Sequence, residues 1–333
     1  MPAFVFSCYN QEMEYLNLDD SIKQSKNILI ISHVNPDGDT LGSMLALRDI
    51  ISLNYKKKPD MMIISKIPQM YNFMEGLKDA KHFSQYDKSM VYDMVVLTDV
   101  AALDRIFDAQ IFYEKAKIKV TIDHHKTNNY NAHIRFVDSE ASSTGEVLFK
   151  LAENHGWKIN EKIAEALYTA ILTDTGGFRH DNTSALALKF ASKLVSAGAK
   201  PQWIYKNCYE LKSKNFVMFQ AYCLSKTEFA ENDKIAYLTV YKKDLEKYSN
   251  EDDLTEGLVE KIRSIDSTEV AFLLKEIDNK MFKVSMRSKN IDVAEVTSVF
   301  NGGGHKFAAG CVVKGTAEDC AKRLLAEIKK QGL

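Results

Sequence analysis

Cysteine is sparse and unpatterned in this chain: five residues, Cys8, Cys208, Cys223, Cys311 and Cys320, with no C-x-x-C pair. An odd, dispersed set excludes a disulfide framework and a cysteine-built zinc site, and it fits reduced thiols in the cytoplasm. Long apolar runs are also missing, since none approaches the ~18 residues that span a bilayer. The first twenty residues hold acids and no basic stretch ahead of an apolar one, so they do not read as a secretory signal. An extra strand and a disordered leader both stay open for them. With a formal net charge of −1, no overall field draws the protein to nucleic acid or anionic lipid. A polyanionic substrate then has to be held by local charge and by metal. No repeat, low-complexity tract, long charge block or Pro/Ser-rich linker interrupts the sequence. What is present is 45% hydrophobic residues over 333 positions, enough for two cores in about two domains.

Residues 27–32 (NILIIS) form a short β-branched run suited to a buried parallel strand. Leu41, Met44, Leu45, Leu47, Ile50 and Ile51 recur behind it at helical spacing, giving strand, loop and helix. Further strands are expected at 61–65, 94–98, 119–122 and 135–138, with a crossover from 103–116. This alternation argues for a parallel sheet with helices on both faces. From 143 the pattern becomes helical. Val147, Leu148 and Leu151 mark one stripe, and Ile163, Leu167, Ala170 and Ile171 another. A third helix covers 183–198 with Gly198 at its end, and Pro201 opens a further helical stretch. Strands return at 235–241, 270–275 and 282–286, and helices at 293–300 and 316–330. The expected fold is α/β: a parallel-sheet domain over 1–195, a helical linker over 196–216, and a smaller α/β domain over 217–333.

Several acid- and histidine-bearing segments follow these apolar runs. His33, Asp37 and Asp39 share one tight loop, where Pro36 and Gly38 favour a turn that aims both carboxylates at neighbouring positions. Asp99 ends a strand, His124 and His125 follow Asp123 at the end of another, and Asp174 lies where an apolar helix stops at glycines. In an open α/β sheet, loops at the carboxyl ends of strands converge on one crevice. Histidines with carboxylates are ligands for hard to borderline divalent cations. Asp37, Asp39, Asp99 and Asp174 bring four negative charges, which two such cations would balance; without them the carboxylates repel one another. Each segment alone is an ordinary turn, cap or strand end, and their coincidence carries the argument. His82, His133, His155 and His180 lack this context. In the C-terminal part, Gly302, Gly303 and Gly304 are a second feature, since successive glycines let backbone N–H groups approach an anion closely. His305 and Lys306 add donors beside them.

The segments H-V-N-P-D-G-D at 33–39, T-D at 98–99, D-H-H at 123–125, L-T-D-T-G-G at 172–177 and G-G-G-H-K-F-A-A-G at 302–310 together resemble the DHH/DHHA1 phosphoesterase superfamily. Within it they resemble the stand-alone nanoRNase and 3′-phosphoadenosine 5′-phosphate phosphatase branch. The resemblance covers the chain beyond its first ~20 residues, judged against domains of ordinary size. It implies one ion held by His33, Asp37 and Asp99 and another by Asp39, Asp99, His124 and Asp174, with Asp99 bridging. The ions it implies are manganese, with magnesium or cobalt as alternatives, and the mixed shell favours manganese over an all-oxygen magnesium cage. A water between two such ions would be acidified to hydroxide. By the same resemblance His125 faces the scissile phosphate, Asp123 orients a histidine, and Arg287 is a substrate-binding arginine whose fork suits phosphate. Ser142, Ser143 and Thr144 stand near the cleft without an assigned role.

The implied activity is release of mononucleotides from very short RNA, or removal of the 3′-phosphate from the small bisphosphorylated nucleotide. Metals in the first domain would act while the second domain grips the substrate's other end, which favours dinucleotide-sized ligands over long nucleic acid. No membrane partner is implied; a homodimer and either direction of attack stay open. A near alternative is hydrolysis of linear dinucleotides derived from cyclic di-AMP or cyclic di-GMP. More distant are an inorganic pyrophosphatase, which the glycine run disfavours, and a non-catalytic nucleotide-binding module, which the intact ligand set disfavours.

Overall fold

A computed structural model describes residues 17–248 and 254–333; Cys8 and the question of a leading strand lie outside the described residues. The chain divides into two compact units, Met1–Leu211 and Lys212–Leu333.

In the first unit six strands, β1 (Ile28–Ile31), β2 (Asp60–Ile63), β3 (Lys81–His82), β4 (Met94–Thr98), β5 (Ile118–Asp123) and β6 (Ile134–Val137), run in the order β3-β2-β1-β4-β5-β6. All pairs are parallel. The helices are α1 (Leu18–Gln24), α2 (Gly38–Tyr55), α3 (Gln110–Lys115), α4 (Thr144–His155), α5 (Glu161–Asp174), α6 (Ala185–Ser196) and α7 (Pro201–Tyr205). β1 and β4 are buried along their whole length, because both faces are covered. Leu29, Ile31, Val95 and Leu97 face a core shared with Phe112 and Tyr113 of α3. Ile28, Ile30, Met94 and Val96 face a second core shared with α2, α4, α5 and α6. Each of these side chains contributes about 1.5–3 kcal/mol by leaving water. The expected strands match these bounds to within about two residues, and β3 is an addition to them. The expected crossover is a 3₁₀ segment, Leu103–Ala109, leading into α3. The stretch opened by Pro201 is α7 followed by a π-helical turn, Lys206–Glu210.

The second unit contains β7 (Glu228–Ala230), β8 (Ile235–Val240), β9 (Val270–Asp278), β10 (Met281–Ser288), β11 (Gly303–His305) and β12 (Ala308–Lys314), in the order β11-β12-β10-β9-β8-β7. Only β8 and β9 pair in parallel; the other pairs are antiparallel. Its helices are α8 (Lys214–Leu224), α9 (Lys242–Glu246), α10 (Leu258–Arg263), α11 (Val293–Ser298) and α12 (Ala317–Lys329). Phe272, Val284 and Met286 pack towards α11 and α12, and Ala271 and Leu273 towards α8 and α10. The glycine run forms part of a β-hairpin, where the sequence suggested a loop. A Cβ at Gly302 would lie 2.3 Å from the Gly310 carbonyl oxygen, and one at Gly304, whose φ is +149°, 2.5 Å from that of Ala308. Glycine is therefore required at both positions for β11 to approach β12. No helix among the described residues is long and apolar enough to cross a membrane.

Candidate functional site

The strand order reverses at β1, which has β2 on one side and β4 on the other, so a crevice opens beyond the carboxyl ends of β1 and β4. His33 lies just past β1 and Asp99 just past β4. Asp99 has φ +61°, a left-handed conformation that Asp tolerates better than most residues.

Asp37 is the N-cap of α2, its Oδ1 accepting from Thr40 N at 2.9 Å. Thr40, one helical turn on, places a single hydroxyl 2.6 Å from Asp99 Oδ2, 3.0 Å from Asp37 Oδ1 and 2.7 Å from His33 Nε2. His33 Nδ1 lies 2.6 Å from the Val34 carbonyl oxygen, and Nε2 faces the acids. Two carboxylates thus compete for one hydroxyl proton, which can serve only one of them. A cation resolves that crowding.

Asp39 is buried, at 1% exposure. It accepts from the N-terminus of α4, from Thr144 N at 2.7 Å and Gly145 N at 2.9 Å, and from Ser43 Oγ at 3.1 Å. Gly145 is needed there because a Cβ would stand 2.4 Å from Ala170 Cβ of α5. His124 turns Nε2 towards three carboxylates, 3.8 Å from Asp39 Oδ2, 3.8 Å from Asp99 Oδ1 and 3.7 Å from Asp174 Oδ2, while Nδ1 lies 3.3 Å from the Ala141 carbonyl. Asp123 is fully buried, with Oδ1 accepting from His124 N, His125 N and His125 Nδ1 at 2.8, 3.2 and 2.7 Å. Its Oδ2 accepts from Asn128 Nδ2 at 2.6 Å. Asp123 therefore fixes the backbone of the histidine pair and the ring of His125.

Burial, with Asp99, Asp174 and Asp37 adding repulsion, holds Asp39 well above the usual carboxylate range despite the Thr144 N–H. Burial also pushes Asp174 up to about 6, against the pull of His124. Asp99 moves the other way: burial raises it, but hydrogen bonds from His33 and Thr40 and the nearby imidazoles leave it below its ordinary value. His125 is raised by its bond to Asp123, against burial. Three overlapping sets of donors result, His33–Asp37–Asp99, Asp39–His124–Asp174 and Asp99–His124–His125, with the ligand atoms of each within 4.8 Å of one another. Such oxygen and imidazole donors suit a hard to borderline divalent cation.

The C-terminal candidates lie in the second unit. Arg287, next to last in β10, donates from Nε to Glu260 Oε1 at 2.9 Å and from Nη1 to the Met286 carbonyl at 3.0 Å. Gly303, Gly304 and His305 are all exposed on β11. A Cβ at Gly303 would meet nothing within 4 Å.

Sequence reasoning missed Thr40, Asn128 and Arg105, the last lying 3.0 Å from His33 Nδ1 through Nη2. It also missed Asn182, whose Nδ2 bonds the Ser142 carbonyl at 3.0 Å and the Asp174 carbonyl at 3.2 Å. Only Asn128 had a signal, a polar amide five residues after Asp123. His155 pairs with Asp19, 3.3 Å away, and His133 Nδ1 accepts from Lys119 N; neither belongs to the three donor sets. His180 Nδ1 stands 3.4 Å from the Asp174 carbonyl.

Residues 27–171 match the model of the DHH family N-terminal domain, and residues 232–331 that of the DHHA1 domain. The bifunctional oligoribonuclease and PAP phosphatase NrnA of Bacillus subtilis is 29% identical over 305 residues, 91% of this chain and 93% of that protein. The protein of the same name from Thermus thermophilus is 27% identical over 306 residues, 91% of this chain and 90% of its own. Among solved structures, an exopolyphosphatase-related protein from Bacteroides fragilis superposes with a TM-score of 0.87 at 29% identity, covering 94% of each chain.

Proposed function

The chain belongs to the DHH phosphoesterase family and carries its DHH and DHHA1 domains, and from that premise we propose that it hydrolyses short oligoribonucleotides to mononucleotides, 3′-phosphoadenosine 5′-phosphate to AMP, or both. Relatives named for these two activities align with nine-tenths of its length. The observation that carries the reading is the meeting of six candidate ligands, His33, Asp37, Asp39, Asp99, His124 and Asp174, in overlapping sets that share Asp99 and His124.

DHH phosphoesterases are metal-dependent, and we assign two divalent ions, manganese first, to these residues, with Asp99 common to both. Bound there, the ions supply Lewis acidity and lower the pKa of the attacking water. The chain's own part is positional. Asp123 holds His125 through Nδ1, so that its other ring nitrogen can stabilise charge on the phosphoryl group or give a proton to the leaving oxygen. The α4 N-terminus offsets part of the burial and repulsion that favour neutral Asp39, and so favours its ligating carboxylate. Arg287, Gly302, Gly303, Gly304 and His305 are assigned to a substrate phosphate or nucleotide that is not cleaved. The cysteines fit a reducing compartment, and we assign the protein to the cytoplasm.

The test is hydrolysis of a diribonucleotide against a longer RNA. Chelation should silence the enzyme and manganese restore it, and rates should fall as RNA lengthens beyond a few nucleotides. Full activity in excess chelator, with no metal by elemental analysis, would overturn the metal assignment. Equal rates on dimers and on ~20-mers at moderate salt would indicate a processive nuclease that grips the backbone electrostatically.

A further inference from the structure

Beside the glycine hairpin the second unit has a cavity of about 820 Å³, within the ~300–1,000 Å³ usual for small-molecule sites. Strand register separates it from Arg287 and His305, and of the substrate groups assigned above only Gly302 reaches its wall. β10 places Arg287 opposite Ala308 and Lys283 opposite Val312 of β12, and the cavity is lined at the Lys283 end, with neither Arg287 nor His305 in its wall. Four residues of strand put roughly 14 Å between the two Cα atoms.

The wall holds three cations, Lys283, Lys314 and Arg323, and no acidic side chain. Between them apolar groups stay open to water, with Val299 at 58% and Val312 at 48% exposure. Arg323 is fixed in place: its guanidinium lies 5.3 Å from the Phe300 ring centroid, and Nη1 donates to the Lys314 carbonyl at 3.0 Å. Like charges gathered in a concavity and valines left in water are both relieved by one kind of ligand, anionic at one end and apolar and flat at the other. Asn301 adds an amide donor and acceptor suited to the edge of a heterocycle. We propose that this cavity is a second ligand site, for a mononucleotide, with its phosphate on the cations and its base against Val299 and Val312.

The rival occupant is an extended acidic peptide added to β12, since β11 covers only Ala308, Ala309 and Gly310 of that strand. The remaining edge is short and Arg323 already takes the Lys314 carbonyl, so the geometry favours the small ligand. The inference does not depend on the metal centre.

Calorimetric titration of the full chain with AMP, in excess chelator, reads the site directly. An Arg287→Ala, His305→Ala double variant lacks the two assigned substrate side chains and should still bind one equivalent of AMP. Adding Lys283→Glu to that variant should weaken AMP at least tenfold, the size of a lost charge-assisted contact, and Arg323→Ala should do the same. An unchanged melting temperature on adding Lys283→Glu separates this loss from misfolding. Inorganic phosphate should bind at least tenfold more weakly than AMP. The proposal is overturned if the double variant binds no AMP at millimolar concentration, if Lys283→Glu leaves the affinity intact, or if phosphate binds as well as AMP. Binding of an acidic strand-forming peptide without any of AMP would assign the edge to a protein partner instead.

Discussion

In the first unit three of the candidate acids are shut away from water, Asp39 at 1%, Asp99 at 2% and Asp123 at 0% exposure, each met by hydrogen bonds from Thr144, Thr40 or Asn128, while Asp174 is half-buried and Asp37 exposed. In the second, Gly303, Gly304 and His305 lie exposed on an edge strand, and Arg287 shares its fork with Glu260 at a partly open surface. Burying an ionised group costs several kcal/mol even after relaxation. Four aspartates, Asp37, Asp39, Asp99 and Asp174, brought together with no lysine or arginine ion pair to them among the described residues, fit a place where a cation completes the structure. The second unit bears no such cost, because its groups keep their water until a ligand replaces it. On the proposed roles one region does the chemistry and the other captures substrate from solution, so substitutions in the two should fail in different ways.

The largest effect is expected at Asp99, assigned to both ions. Asp99→Ala should lower diribonucleotide hydrolysis well beyond the roughly 10–100-fold that follows loss of an outer partner of a metal ligand, and bound manganese should fall by elemental analysis. A variant that keeps its metal and its rate would erase the distinction between the units.

Much of the first unit was legible in the sequence because β1 and β4 are covered on both faces and so read as unbroken apolar runs. The candidate ligands stood out because each follows such a run or ends an apolar helix. What escaped notice had no pattern to carry it. β3 is two exposed residues, Lys81 and His82, with no apolar signal. β11 and β12 were hidden by glycine, which is depleted in strands and weakens them; here pairing with β10 and the close approach of Gly302 to Gly310 decide the conformation. Thr40, Arg105 and Asn128 matter only through hydrogen bonds to residues brought near by folding. A threonine in the first turn of a helix looks the same with or without two carboxylates and an imidazole around it.

A middle-sized effect should separate holding from reaction. Arg287→Ala or His305→Ala should leave metal content unchanged and lower kcat/KM on a dinucleotide by ten- to more than a hundredfold, matching a lost charge-assisted contact of about 1.5–3 kcal/mol. Slow turnover of p-nitrophenyl phosphate, which offers no second phosphate to hold, should be nearly unaffected. Equal impairment of both substrates would mean that the second unit acts on the chemistry itself.

The smallest effect is the most discriminating within the glycine run. Gly302→Ala forces a Cβ to 2.3 Å from the Gly310 carbonyl oxygen, an overpacking that typically costs about 1–3 kcal/mol, so its melting temperature should drop. Gly303 has open space where a Cβ would go, and Gly303→Ala should change stability by no more than about 0.5 kcal/mol. The fold thus explains glycine at Gly302 and leaves Gly303 without a steric reason to lack a side chain. If a substrate phosphate or base rests against that backbone, Gly303→Ala should raise KM for a dinucleotide several-fold at unchanged melting temperature and unchanged p-nitrophenyl phosphate turnover. If KM stays at the wild-type value, the glycines serve only to close β11 on β12, and capture by the second unit rests on Arg287 and His305 alone.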